Sequence, residues 1–156
     1  MKCGYKYCKH GGEVSREDGI MEGARYFHAD CLREKKAINA IIELFHERVD
    51  PKPIEAWLRK TVNDLVVKDG NDAEYLLFAF RYCLDHGWTL HKPTGLMYVA
   101  KDVTARKEWE KLHHKKIAEK VREQQKNMVV EEGLDIDNSS FQYIPHKAIG
   151  FEDILR

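Results

Sequence analysis

Four side chains that bind soft metal ions lie in two close pairs in the N-terminal part of the chain. Cys3 and Cys8 form the first pair, and His28 and Cys31 form the second, which gives the spacing C-x4-C-x19-H-x2-C. Structural zinc sites take four cysteine or histidine ligands arranged as a tetrahedron. Two short pairs joined by a loop of this length can close around one ion. The pattern predicts one structural Zn²⁺ bound by these four residues, with no position left open for a catalytic water.

Two further residues of the same types lie outside this set. His10 follows Cys8 at a spacing that also suits a metal ion, so it stays open as a substitute for one of the ligands. Cys83 falls on the apolar face of a predicted helix, where a single cysteine is typical of a packed core. The alternative for the four residues is that they are unrelated and bind no metal. Reduced cysteines arranged for metal binding favour a cytoplasmic protein.

A small hairpin and the start of a helix are predicted to position the ligand pairs. Residues 13–15 and 25–27 are typical of short strands, and Gly19 and Gly23 suit turns between them. A helical pattern begins directly after the second pair, so we expect His28 and Cys31 in the first helical turn. Backbone N–H groups and the helix dipole favour a thiolate there.

This order of knuckle, hairpin and helix start resembles a treble-clef zinc site. Residues 26–31 also resemble the middle of a LIM finger, in which an aromatic residue precedes H-x-x-C. The resemblance implies a metal-ligand role for Cys3, Cys8, His28 and Cys31. A LIM domain has a second finger and a closer first pair, and this chain shows neither. The whole chain is similar to small zinc-finger proteins of phages and prophages, a resemblance that implies no particular activity.

The sequence predicts a mainly α fold with small β-hairpins. It divides into three segments. A zinc finger is assigned to residues 1–36, a helical body to 37–126, and an acidic tail with a short binding motif to 127–156. Apolar residues at helical spacing predict four helices. They span about residues 29–48, 54–67, 72–85 and 102–126, with Asn71 and Glu74 as a capping box for the third and Asp102 as the cap of the fourth.

The segment between the last two helices predicts a β-hairpin near residues 88–100. Strand-forming residues flank Pro93 and Gly95, which suit a turn. Three helices followed by a hairpin is also the order of a winged helix, with the third helix as its recognition helix. Asp72 and Glu74 would then face phosphates, so the charges favour a plain helical core. Both interpretations stay open from the sequence.

Charge is balanced overall but uneven along the chain. Lys and Arg total 26 and Asp and Glu total 26, which argues against a protein that binds polyanions over its whole surface. Residues 101–126 carry 9 cations and 5 anions, so this helix is a candidate for weak contact with nucleic acid. The alternative is a solvated face with many i, i+4 ion pairs. The candidate contacts are Lys107, Lys111, Lys115, Lys116, Lys120 and Arg122.

The tail combines a polar, acidic linker with apolar residues near its end. Phe151, Ile154 and Leu155 have the i, i+3, i+4 spacing of a motif that fills a groove on a partner. The alternative is that they complete the chain's own core. No stretch approaches the ~20 apolar residues of a membrane span, and no apolar signal core follows the first residues.

Patterns typical of enzymes are missing from the sequence. It contains no Ser/His/Asp arrangement, H-E-x-x-H motif or phosphate-binding loop. We therefore expect a non-enzymatic, zinc-stabilised interaction protein. The resemblance to phage and prophage zinc-finger proteins implies an accessory factor of a phage or mobile element that binds a host or phage protein. The alternative is a nucleic-acid-binding regulator or replication accessory protein that uses the basic helix 102–126. The sequence does not indicate an oligomeric state.

Overall fold

A computed structural model describes residues 1–131, with side chains described through residue 124. These residues are mainly helical, with one two-stranded hairpin. The elements are β1 (Ile20–Glu22), β2 (Arg25–Phe27), α1 (Ala29–Arg48), α2 (Glu55–Asn63), α3 (Ala73–Asp85), α4 (Leu96–Ala100) and α5 (Val103–Glu131). A π-helical turn, Asp64–Lys68, follows α2, and a 3-10 turn, Pro93–Gly95, precedes α4. The predicted tail motif of Phe151, Ile154 and Leu155 lies outside the described residues.

The hairpin of the finger differs from its prediction in one strand. β1 pairs antiparallel with β2, Ile20 lies opposite Phe27, and Gly23 turns the chain with a φ of 63°. The strand predicted at residues 13–15 is wrong, because Glu13 forms an isolated bridge with Lys2. Ser15 instead closes a turn, since its hydroxyl donates to the Asp18 carboxylate and accepts from the Asp18 N–H. Short polar side chains bond to nearby backbone in this way at the expense of strand pairing.

α1 is the helix around which the core is built. It packs against both α2 and α3, and its apolar stripe, including Ile41 and Phe45, is buried as the sequence predicts. The Phe45 and Phe80 ring centroids lie 6.2 Å apart, which joins α1 to α3. Phe27 and Cys31 belong to the same core cluster. The finger and the body therefore share one continuous apolar interior through α1.

α2 and its π-helical extension bury one apolar stripe. Leu58 and Val62 are fully buried, but Ile54 is 69% exposed and Trp57 is 37% exposed. Ile54 is the residue before the first helical turn, so it stands outside the apolar stripe.

The cap of α3 is Asp72 and not Asn71. One Asp72 carboxylate oxygen accepts the backbone N–H groups of Glu74 at 2.7 Å and Tyr75 at 3.2 Å. The Asn71 amide instead donates to the Leu65 carbonyl at 2.8 Å, at the π-helical turn. The predicted capping box therefore starts one residue too early, because Asn71 is already used by the preceding turn.

The β-hairpin predicted near residues 88–100 is wrong. Pro93–Gly95 is a 3-10 turn, and α4 follows it with Leu96 and Val99 fully buried. Burial at i and i+3 is the helical period, and a short apolar run cannot be told from a strand by composition alone. Leu90 packs directly on Gly95, where a Cβ atom would meet its side chain. Residues 93–100, which would form most of the wing of a winged helix, are helical.

α5 begins at a cap and crosses a boundary between two compact units. The Asp102 carboxylate accepts the Ala105 N–H at 2.6 Å, as predicted, and Ala105 is fully buried. The units are Met1–Lys115 and Lys116–Arg156, and the second is described here over residues 116–131. The side chains of residues 116–124 are exposed. Among the described residues, every helix is too short or too polar to cross a lipid bilayer.

Candidate metal centre

The four predicted ligands lie together in the structure. The donor atoms of Cys3, Cys8, His28 and Cys31 all lie within 4.8 Å of one another. The His28 Nδ1 atom is 3.5 Å from the Cys8 Sγ atom and 3.8 Å from the Cys31 Sγ atom. A tetrahedral ion with the bond lengths of zinc separates sulfur and nitrogen ligands by about 3.6 Å. The donor set and its spacing therefore fit a single structural metal site.

Backbone hydrogen bonds hold the first ligand pair against the hairpin. The Cys3 N–H donates to the Gly12 carbonyl at 2.7 Å, and the Gly4 N–H donates to the Tyr26 carbonyl at 2.8 Å. Gly4 is required for this close approach, because a Cβ atom there would lie 2.6 Å from the Phe27 ring. Cys8 ends a turn in which its backbone N–H donates a hydrogen bond to the Tyr5 carbonyl.

The second ligand pair is positioned by the start of α1. His28 is the N-cap residue, with extended backbone angles, and its carbonyl accepts the Leu32 N–H at 2.9 Å. Cys31 lies in the first turn and is 4% exposed. This confirms the predicted placement of the pair at a helix start.

His28 is oriented by a backbone carbonyl. Its Nε2 atom lies 2.9 Å from the carbonyl oxygen of Glu13. A carbonyl can only accept a hydrogen bond, so Nε2 carries the proton and the lone pair of Nδ1 faces the thiols. Histidine ligands of metal ions are commonly fixed by an outer hydrogen bond of this kind. The contact of Glu13 has no signal in the sequence, because any residue type offers the same carbonyl.

The thiols of Cys8 and Cys31 are perturbed in opposite directions. Desolvation raises the pKa of Cys8, but backbone N–H groups of His10 and Gly12 outweigh it and lower that pKa to about 7. Desolvation, followed by the nearby thiols of Cys8 and Cys3, raises the pKa of Cys31 to about 12. A thiol that coordinates a cation is deprotonated outright. Cys31 is therefore the thiol whose ionisation depends most on a bound metal.

His10 lies beside the cluster and is not one of its four members. Its ring centroid is 4.6 Å from that of His28, and its backbone N–H donates to the Cys8 Sγ atom at 3.4 Å. The structure thus places His10 next to the ligands, where it contacts two of them. Cys83 is buried in the core, as predicted, and burial raises its pKa to about 11.

The first residues of the finger are tied to α1 by a carboxylate that the sequence pattern did not single out. Glu34 on α1 accepts the Tyr5 hydroxyl at 2.7 Å and the Lys9 ammonium at 3.1 Å. Tyr5 is buried, and desolvation together with Glu34 raises its pKa. A sequence signal exists after the fact, since Glu34 follows Cys31 by three residues and so lies on the same side of the helix.

The six cations predicted to contact nucleic acid are divided by the unit boundary in α5. Within the first unit, Lys107, Lys111 and Lys115 follow one another at four-residue spacing, so they share one side of the helix. Lys116, Lys120 and Arg122 belong to the second unit. All six side chains are exposed, and Lys111 forms an ion pair with Glu108 at 2.6 Å. In the first unit, three of the six candidate contacts therefore form one row.

The resemblances to LIM fingers and to phage zinc-finger proteins stay predictions. The metal-ligand role that they imply agrees with the geometry of the four donors. Comparison with known proteins finds no family model, no curated protein and no solved structure that matches this chain.

Proposed function

We propose that this protein is a non-enzymatic interaction protein whose N-terminal finger is stabilised by one zinc ion. The cluster of three thiols and the His28 Nδ1 atom carries the proposal. A thiolate-rich set with one imidazole suits zinc among the common metal ions. Four protein ligands complete a tetrahedron, so substrate and water have no place on the ion. Such closed sites are structural, whereas catalytic zinc sites keep one position free.

Exposed apolar side chains of the first unit support a role in protein contact. Tyr98 is 72% exposed and Met97 is 43% exposed, and both lie on the outer side of the short helix α4. Tryptophan, tyrosine and methionine are the residue types enriched at protein interfaces. Trp57 and Trp88 are also exposed. The resemblance to phage proteins extends the proposal to an accessory factor of a phage or mobile element with a host or phage partner.

A pull-down from host lysate, with and without nuclease, tests the protein-partner proposal. We expect a protein partner that nuclease treatment leaves in place and that Met97→Ser/Tyr98→Ser releases. Val121→Ser is the matched control, because Val121 is exposed on α5 and lies outside α4. Metal analysis of the purified protein should show one zinc per chain. A partner that nuclease removes, or one that the α4 variant retains, would count against the proposal.

Nucleic-acid binding through α5 is the second candidate function. Lys107 and Lys115 are exposed and form no ion pair with a carboxylate among the described residues. Cations of this kind can contact phosphates, and such binding weakens steeply as salt rises because counterions are released. A protein–protein contact through α4 should change little over the same salt range.

A further inference from the structure

A cleft of about 350 Å³ opens on the finger beside the first metal ligand. Three of its six lining residues are cations and none is acidic; the lining comprises Lys2, Cys3, Gly4, Tyr5, Lys6 and Arg25. The three cationic side chains are exposed. They come from two separate segments of the finger, since Lys2 and Lys6 lie near its first residue and Arg25 lies in β2. The fold therefore gathers positive charge at a place that the charge pattern of the sequence does not single out.

These three cations differ in ion pairing from three other lysines of the finger. Lys9 is paired with Glu34 at 3.1 Å, and Lys36 is paired with Glu22 at 3.1 Å. Lys35 also contacts Glu22, at 3.6 Å. Lys2, Lys6 and Arg25, by contrast, form no ion pair with a carboxylate in the part of the chain that the structure describes. The cleft thus has positive charge that the finger itself does not neutralise.

The floor of the cleft offers little beyond backbone and charge. Gly4 has no side chain, and the Phe27 ring against it leaves no room for one. The Tyr5 hydroxyl is already donated to Glu34. A ligand in the cleft would therefore contact the cations. The cleft offers it no free, fixed side chain that could form specific hydrogen bonds with base edges. Phosphate oxygens are the groups that such an arrangement recognises, because lysine and arginine bind them without regard to sequence.

We propose that this cleft binds the phosphate backbone of a nucleic acid without sequence preference. The contact lies on the finger and is independent of both the α4 surface and the α5 cations. Three cations imply a slope of log K against log salt of about −2 to −3. Binding of this class has a dissociation constant of roughly 10⁻⁴ to 10⁻⁶ M at physiological salt, so it would assist a specific partner contact and would not replace one.

Fluorescence anisotropy of the full-length, zinc-loaded protein with a labelled oligonucleotide of about 20 nucleotides tests the proposal. The finger variant is Lys2→Gln/Lys6→Gln/Arg25→Gln. The matched control is Lys52→Gln/Lys60→Gln/Lys92→Gln, which removes the same charge from exposed lysines outside both the cleft and α5. At 50 mM salt we expect the finger variant to bind at least about a hundredfold more weakly and its salt slope to flatten by about 2 to 3. The control variant should lose less than about threefold.

Several outcomes would overturn the proposal. The first is that the native protein does not bind the oligonucleotide at 50 mM salt. The second is that both variants lose the same oligonucleotide affinity. The third is that the protein binds inorganic tripolyphosphate but not the oligonucleotide. Three thiolates outweigh the charge of Zn²⁺ and leave the centre negative, so the alternative role of the cations is to balance this charge. Faster zinc release from the finger variant to a chelator, with oligonucleotide binding unchanged, would assign them to the metal and overturn the proposal. Arg25→Gln alone should keep zinc and weaken binding about tenfold at 50 mM salt, and no change in binding would also overturn the proposal.

Discussion

The two nitrogens of His28 have different tasks. Nε2 is committed to the Glu13 carbonyl, and Nδ1 faces Cys8 and Cys31. The sequence could predict the four ligands, because their types and spacing are sufficient to indicate a metal site. It could not predict which nitrogen binds, because the orienting carbonyl comes from a part of the chain 15 residues away. The opposite pKa shifts of Cys8 and Cys31 likewise depend on backbone N–H groups and burial that folding creates.

Replacing Cys31 separates the proposed zinc site from an accidental cluster. Cys31→Ser removes a buried thiolate ligand, so we expect loss of bound zinc and a large fall in melting temperature, because metal binding is coupled to folding. Metal analysis and a melting curve measure the two effects. Cys83→Ser is the control. It should retain one zinc, with a cost of about 1–3 kcal/mol for an unsatisfied buried hydroxyl. Unchanged zinc content in Cys31→Ser would refute the site.

Proton release on zinc binding should depend on pH. The pKa of Cys8 is lowered to about 7 and that of Cys31 is raised to about 12. At pH 8 Cys8 is already mostly ionised, so the ion displaces the proton of Cys31 but little from Cys8. At pH 6 both protons must leave, so affinity falls and release rises by about one proton. Calorimetry in buffers of different ionisation enthalpy measures this difference, and equal release at both pH values would contradict it.

Among the elements, α1 serves the metal centre and the core at once. Its first turn supplies Cys31, its second supplies Glu34, and its remaining length packs on α2 and α3. The sequence could predict α1 and α3 because long apolar stripes at helical spacing leave little ambiguity. It failed at residues 88–100, where five apolar residues fit a strand as well as a helical turn, and burial of Leu96 and Val99 decided the outcome.

The cap of α3 offers a test at the same scale. Asp72→Ala leaves the N–H groups of Glu74 and Tyr75 without their acceptor, so we expect a loss of about 1 kcal/mol in the free energy of unfolding. Asp72→Asn should restore most of it, because asparagine caps nearly as well. Urea denaturation measures both variants. If Asn71→Ala proved the more costly substitution and Asp72→Ala had no effect, the sequence-based capping box would be right after all.

For the whole molecule, the first compact unit contains the finger, the core and the start of α5. The boundary after Lys115 falls within a helix, so it could not be predicted from a turn or a linker in the sequence. The helical pattern of the sequence continues to residue 126, and the predicted body ends there for that reason. Packing against the core ends earlier, which the pattern alone does not show. Ala105 is fully buried and Trp109 packs against the core. The side chains of residues 110–124 are exposed.

A chain that ends at Lys115 should fold on its own. We expect it to bind one zinc and to melt within a few degrees of the full chain, because the side chains of residues 116–124 are exposed. A chain that ends at Asp102 is the control. It should melt much lower, since it loses buried Ala105 and the aromatic contacts of Trp109. A large drop for the Lys115 chain would show that the tail completes the core, the alternative to a partner-binding motif.

The order of the ligands along the chain has a consequence for synthesis on the ribosome. All four ligands precede α2, so they leave the exit tunnel before α3, the helix on which α1 packs, has been translated. An ion bound at that stage would fix the first turn of α1 and begin a helix that is otherwise costly to nucleate. Domains fold from the N-terminus as translation proceeds. Zinc supply during translation, more than in the finished protein, should therefore set the yield of folded chain.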